Sequence, residues 1–184
     1  MKKRGIVGRL GSRVVAGAVT SVVAAAIAII ASTSAHAAAV KPKPVVGQLV
    51  LGGVTSPVAA YSWEVTADSS WTKGGGASVG KPNPGVIRFT KLIDPSSIPT
   101  LRNIATGTSY PSAVFTVTFG KGNGAATMVY EMQELFVTRV TQGAADGLVT
   151  EDVSFVFKAV KWTFTDSSGN VTTGTWDVPS GKVS

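Results

Sequence analysis

Cysteine is absent from the 184-residue sequence, and histidine occurs once, at His36. Without cysteine there are no disulfides, no thiol nucleophile and no soft metal ligand, so stability has to come from core burial and from assembly. Charge is also scarce, at 15% of residues. Its basic excess is a local matter: Lys2, Lys3, Arg4, Arg9 and Arg13 are five of the 17 basic residues, so beyond residue 37 the balance is 12 basic against 10 acidic, or 12 − 10 = +2 instead of +7. Those 12 are thinly spread, whereas a nucleic-acid footprint needs Lys and Arg clustered on one face. Nucleic acid is therefore not an expected partner.

The N-terminal basic cluster precedes an apolar run over residues 14–30 and a small-x-small site, Ala35-His36-Ala37. This order reads as a secretory signal peptide cut between Ala37 and Ala38. The competing reading is an uncleaved anchor, for which the run is slightly short of the roughly 20 residues that span a bilayer. Cleavage implies a secreted protein with no stable membrane anchor, and it removes the one histidine. Three segments follow: a signal peptide at 1–37, an extended leader at 38–45 in which Lys and Pro alternate, and one folded domain at 46–184. The mature 184 − 37 = 147 residues suit a single core, which at that size buries roughly 70% of the unfolded chain's surface.

Along the domain the dominant signal is alternation of apolar and polar residues, which marks strands with one buried face. Strands are expected over 47–54, 61–66, 86–93, 113–119 and 126–140, with Ser56-Pro57 breaking the pattern between the first two. Tyr61, Trp63 and Val65 should face inward. Residues 68–85 are rich in Gly, Pro and Ser without periodicity and are expected to be a long surface loop; Trp71 within it is either a binding contact or folds back onto the sheet. One helix of about three turns is expected after Asp94-Pro95, with Ile98, Leu101 and Ala105 as its apolar stripe and Gly107 as its stop. The Gly-rich run 120–124 lacks the Lys-Ser/Thr ending of a phosphate loop and reads as a hairpin turn.

The stretch 151–179 changes phase. Val153, Phe155 and Phe157 are apolar on one parity, and Val160, Trp162 and Phe164 on the other. One extra residue near Lys158-Ala159, a β-bulge, lets a single core receive both triplets and bends the strand as a barrel requires. In 126–140, Met128, Tyr130 and Met132 stand opposite Val129, Leu135 and Val137, so an apolar strip is expected on the outer surface.

For catalysis only carboxylates, hydroxyls and lysines remain. The acidic pairs Glu131/Glu134 and Glu151/Asp152 differ by odd numbers of positions, so on a regular strand their members point to opposite faces and cannot work as acid–base partners. A bulge between Glu131 and Glu134 would change that for one pair. No catalytic, metal or cofactor site is expected.

Several of these residues resemble a known family. Tyr61-Ser62-Trp63-Glu64-Val65, Phe89-Thr90-Lys91-Leu92-Ile93-Asp94 before the helix, Lys161-Trp162-Thr163-Phe164, and Gly174-Thr175-Trp176-Asp177 near the end follow the order seen in the haemolysin-coregulated (Hcp) proteins, the tube subunits of type VI secretion systems. The resemblance implies a mainly β fold: a small β-barrel of two curved antiparallel sheets with one short α-helix. It also implies a non-catalytic subunit without cofactors, a ring of six copies, and stacking of rings into a tube that carries secreted effector proteins. Trp63, Phe89, Lys91, Asp94, Trp162, Gly174, Trp176 and Asp177 would be structural signature positions. Two features depart from that family: the export signal, and a short connection at 55–60. The alternative to a ring subunit is a secreted β-sandwich-like binding module for a glycan or protein, resting on Trp71 and its loop.

Overall fold

The computed structural model describes residues 45–72, 75–120, 122–145 and 147–184; the expected cleavage site at Ala37–Ala38 lies outside them. Strand β1 (Gly47–Leu51) turns through Gly52 and Gly53, both at positive φ, into β2 (Val54–Ser62). The expected connection at 55–60 is thus part of a strand in full register with β1, from Gly47↔Val58 to Leu51↔Val54. Pro57 is tolerated there because the Val58 carbonyl faces β1, accepting from Val46 N at 2.8 Å. Pro57's main-chain groups therefore face the other edge, where the next strand pairs only from Val58 onward.

Between β2 and β7 (Ile87–Leu92) the chain makes an excursion of short pairs. β3 (Val65–Thr66) pairs with β6 (Asn83–Pro84), and β4 (Ser69–Thr72) with β5 (Gly76–Val79). The stretch expected to be an irregular loop is a two-stranded ribbon. Almost all of its described side chains are exposed, so backbone pairing forms with no apolar period to announce it. Val65, expected inside, is exposed at the ribbon's base. Trp71 pairs through its backbone with Ala77, and its side chain is outside the described set.

Helix α1 (Ser97–Thr106), β8 (Tyr110–Phe119), β9 (Ala126–Ala145), β10 (Leu148–Thr165), β11 (Val171–Asp177) and β12 (Lys182–Val183) complete the order. The strand neighbours run β10-β7-β2-β1-β8-β9, and β9 pairs back onto β10. Six antiparallel strands therefore close into a barrel, with β11 and β12 continuing the sheet beyond it. β10 makes this possible by changing partners along one edge. Residues 150–155 pair with β7 and 159–165 with β11, while the other edge stays with β9 throughout.

The core inside the barrel comes from inward positions of six strands, among them Leu49, Val58, Ile87, Phe89, Phe115, Met132, Leu135, Val153 and Phe155. Both halves of the phase switch reach it. Phe157 and Val160 are buried with exposed Lys158 between them, Trp162 is half-buried, and Phe164 lies outside at the strand's end. The one-residue slip in register falls earlier, between Ser154 and Phe155, opposite Thr138. At Lys158 itself the ladder skips a pair, from Phe157↔Leu135 to Ala159↔Gln133. The skipped partner, Glu134, is at φ 50°, in the left-handed region.

β9 therefore turns over at the same level as β10, and Leu135 and Val137 enter the core that Met132 already occupies. They are not the outer strip expected from alternation. Phe136 takes that outward place, directly opposite Val156.

Candidate functional site

Glu151 shares its parity on β10 with Val153 and Phe155, and Lys91 shares its own on β7 with Phe89 and Ile87. Strand geometry alone therefore sends both charges inward. In register Glu151 pairs with Lys91, and their side chains are 0% and 1% exposed. Lys91 Nζ lies 3.1 Å from Glu151 Oε1 and 3.1 Å from Asp94 Oδ1. It also donates to Ser97 Oγ at 3.2 Å. Glu151 accepts further bonds from Ser97 Oγ at 3.1 Å and from Gln142 Nε2 at 2.7 Å. Each charge is thus compensated by an ion pair and by neutral donors or acceptors, the condition under which buried charges persist.

Asp94 sits at the entrance to α1. Its carboxylate accepts from Ser96 N at 2.8 Å and Ser96 Oγ at 2.6 Å, ordering the turn that starts the helix. Burial pushes its pKa up, but hydrogen bonds from Ser56, Ser96 and Lys91 together outweigh burial and hold it below the usual carboxylate value. The helix begins with Ser97 and carries Pro99 within its first turn, where no intrahelical N–H bond is lost. It ends at Gly107, φ 69°, whose N–H bonds back to Asn103 O.

The stripe on α1 faces the other way from expectation. Ile98 is 65% exposed and Leu101 38%, with Ile104 and Ala105 also outside, while Ser97 and Thr100 are buried. The reason lies beneath the helix, where Lys91, Glu151 and the Tyr110 hydroxyl offer a polar floor that hydroxyl side chains satisfy. Thr100 Oγ1 and Tyr110 Oη are 3.0 Å apart.

The other signature residues gather elsewhere along the barrel. Trp63, Trp162 and Trp176 form a run of rings, with centroids 6.0 Å apart at 29° and then 6.5 Å apart at 32°. Trp63 also meets Phe157 and Tyr130 edge-on. Gly174 lies directly opposite Trp162, and a Cβ there would come within 3.3 Å of that indole. Asp177 accepts from Ser180 N and Oγ, closing the turn into β12. The Ser180 bonds hold its carboxyl below the usual range. The buried indole N–H groups of Trp63 and Trp176 have no acceptor among the described residues, so these rings are held by packing. Phe89 belongs to the core between Phe115 and Phe155.

For the acid–base pairs the outcome is mixed. Glu151 is inside and Asp152 faces away, bonded to Thr90 Oγ1. Turning β9 over does bring Glu131 and Glu134 to the outer face, each half-exposed. There Lys161 Nζ holds Glu131 at 2.9 Å and Lys158 Nζ holds Glu134 at 3.0 Å. A groove of about 480 Å³ is lined by Glu131, Gln133, Ala159, Lys161, Thr175 and Asp177 among others, without Glu134. Among the described residues no group of three or more His, Asp or Glu side chains is placed to hold a metal ion, and no helix is long and apolar enough to cross a membrane.

A sequence model described as "Type VI secretion system effector, Hcp" matches residues 55–164, which is 110 of the 184 positions. The chain belongs to the Hcp family. That match spans the phase switch, the Lys91–Asp94 turn and the helix, and it assigns the protein to the tube and effector proteins of type VI secretion. Comparison with curated proteins gives no match. Among solved structures, a type six secretion system protein aligns with a TM-score of 0.65 at 19% identity, covering 77% of this chain and 100% of its own. Hcp1 from Salmonella typhimurium aligns at 0.61 and 19%, covering 75% and 97%. A type VI secretion system effector from Yersinia pestis aligns at 0.58 and 15%, covering 72% and 99%. At these identities the likeness is one of fold, and the Hcp barrel is that fold.

Proposed function

We infer that residues 46–184 act, after removal of a signal peptide between Ala37 and Ala38, as an exported ring subunit. The ring is a closed homohexamer with a structural, non-catalytic role, and it carries secreted effector proteins. Membership of the Hcp family is the observation that carries this reading, since ring and tube assembly is what that membership implies. The surface adds support of its own. Phe136 and Val156 stand side by side on the outer face of the barrel, and Leu92, Ile93, Ile98 and Leu101 are also exposed. Apolar surface of that kind favours burial against another copy, and a head-to-tail contact whose rotation closes gives a ring. The carboxylates support the absence of catalysis, because Glu131, Glu134, Glu151 and Asp152 are each already bonded to a cation or a hydroxyl.

Native mass spectrometry of residues 38–184 across a dilution series tests the assembly. Six-fold species that persist on dilution support it, and a monomer at every concentration rejects it in favour of a secreted binding module. Intact mass of the protein in culture supernatant tests export: a chain beginning at Ala38 is expected, and full-length protein confined to membranes is the contrary result.

A further inference from the structure

We propose that α1 is a polar-latched strap that leaves the barrel as a unit while the barrel stays closed, with Ser97 on the Lys91–Glu151 pair as its latch. No residue between β7 and β8 belongs to the hydrophobic core, which the strands fill among themselves together with partly buried Trp63 and Val178. The buried face of α1 is held down by a short series of polar contacts. Ser97 Oγ lies within hydrogen-bond distance of Lys91 Nζ and Glu151 Oε1, Thr100 Oγ1 of Tyr110 Oη, and Ser96 Oγ stands 3.5 Å from Ser56 Oγ. Of the helix's apolar side chains, Ile98 is 65% exposed and Leu101 and Ile104 are partly covered, but none is a member of the core.

Lifting such a helix removes no member of the core and returns a desolvated ion pair to water, so its opening is easier than unfolding the barrel. Both ends permit the movement. Pro95 precedes the helix, and Gly107 follows it at φ 69°, where glycine carries no steric penalty. Release uncovers a polar floor of Lys91, Glu151, Gln142 and Tyr110. By contrast, the paired strands β7 and β10 cannot open without breaking the core around Phe89 and Phe155.

Hydrogen exchange on the full chain tests the latch. Amides of α1 are expected to exchange at least tenfold faster than those of β7 and the 153–157 part of β10, through an opening that urea does not promote. Ser97→Ala should speed α1 exchange severalfold and leave β7 and β10 unchanged. Because the sequence has no cysteine, the pair Ser56→Cys and Ser96→Cys supplies a single disulfide that pins the start of the helix. Oxidation should slow α1 exchange at least tenfold, and reduction should restore it. If wild-type α1 and barrel amides instead exchange together with the same urea dependence, or the disulfide leaves α1 exchange unchanged, α1 is an integral part of the barrel and the latch is wrong.

Discussion

Glu134 and Lys158 face each other across β9 and β10 at the level where both strands change the face they present to the core. Their side chains pair at 3.0 Å, yet their backbones are missing from the ladder, and Glu134 is held at φ 50°. The backbone conformation matters more here than the ion pair, since solvent screens an exposed pair and little stability rests on it. Glu134→Val places a β-branched side chain in the left-handed region and is expected to destabilise the protein by about 1–3 kcal/mol. Glu134→Gly should stay within about 1 kcal/mol of wild type. Urea denaturation of both variants checks this, and a neutral Glu134→Val would contradict the assigned backbone.

Gly47 offers a test of the packing between β1 and β8. A Cβ on Gly47 would stand 2.5 Å from Thr116 O and 2.8 Å from Phe115 Cε2, so either backbone or core ring must move. Gly47→Ala is expected to cost about 1–3 kcal/mol, as other overpacked sites do. Gly53→Ala meets no atom within 4 Å, and its effect is confined to backbone strain at φ 81°. Thermal unfolding distinguishes the two through the response to a second change: Phe115→Leu should relieve Gly47→Ala in part and leave Gly53→Ala unrelieved.

The Lys91–Glu151 pair should show strong non-additivity. Lys91→Met alone leaves Glu151 buried without a cation, at a cost of about 3–5 kcal/mol, whereas Glu151→Leu leaves Lys91 its contact with Asp94 and should cost less, and replacing both removes the uncompensated glutamate. The double variant is expected to be more stable than Lys91→Met in a denaturant-based cycle. Costs that simply add would mean that water reaches the pair.

Acid stability follows from Asp94. Its folded pKa lies below the ordinary aspartate value. The stabilisation it contributes is therefore fully present above the unfolded pKa and lost as pH falls through the folded one. Wild type should lose stability on acidification below about pH 4, and Asp94→Asn should flatten that slope while lowering stability at neutral pH. Asp166 and Asp177, also held low by hydrogen bonds, act in the same direction, so some slope persists in the variant. Unfolding midpoints from pH 2 to 7 supply the comparison.

Much of the barrel could be read from alternation, because Phe89, Phe115, Val153 and Phe155 each recur at period two with buried neighbours. The switch after Phe157 was legible for the same reason. The ribbon at 65–84 was not, since its pairing buries almost nothing and leaves no apolar period. The helix misled through an ordinary assumption, that the apolar stripe is the buried one. Its true floor is polar, and that was foreshadowed by two opposite charges, Lys91 and Glu151, each on the inward parity of its strand. The turnover at Glu134 did leave a trace, since the apolar residues change parity between Met132 and Leu135 much as they do after Phe157, but alternation over one regular strand reads them as two opposite faces.

Closure of the barrel also sets the order in which the chain can fold. Phe89 pairs with Val153, and Leu49 with Phe115. A polypeptide that is synthesised or threaded through a pore from its N-terminus therefore presents the outer edges of β1 and β7 before their partners, β8 and β10, have arrived. Such distant pairings make folding slow and leave strand edges available for wrong contacts in the meantime. Until residues 150–155 reach β7, the edge that will close the barrel has no partner of its own. Closure of the barrel therefore waits on β10, the last of its six strands in the chain.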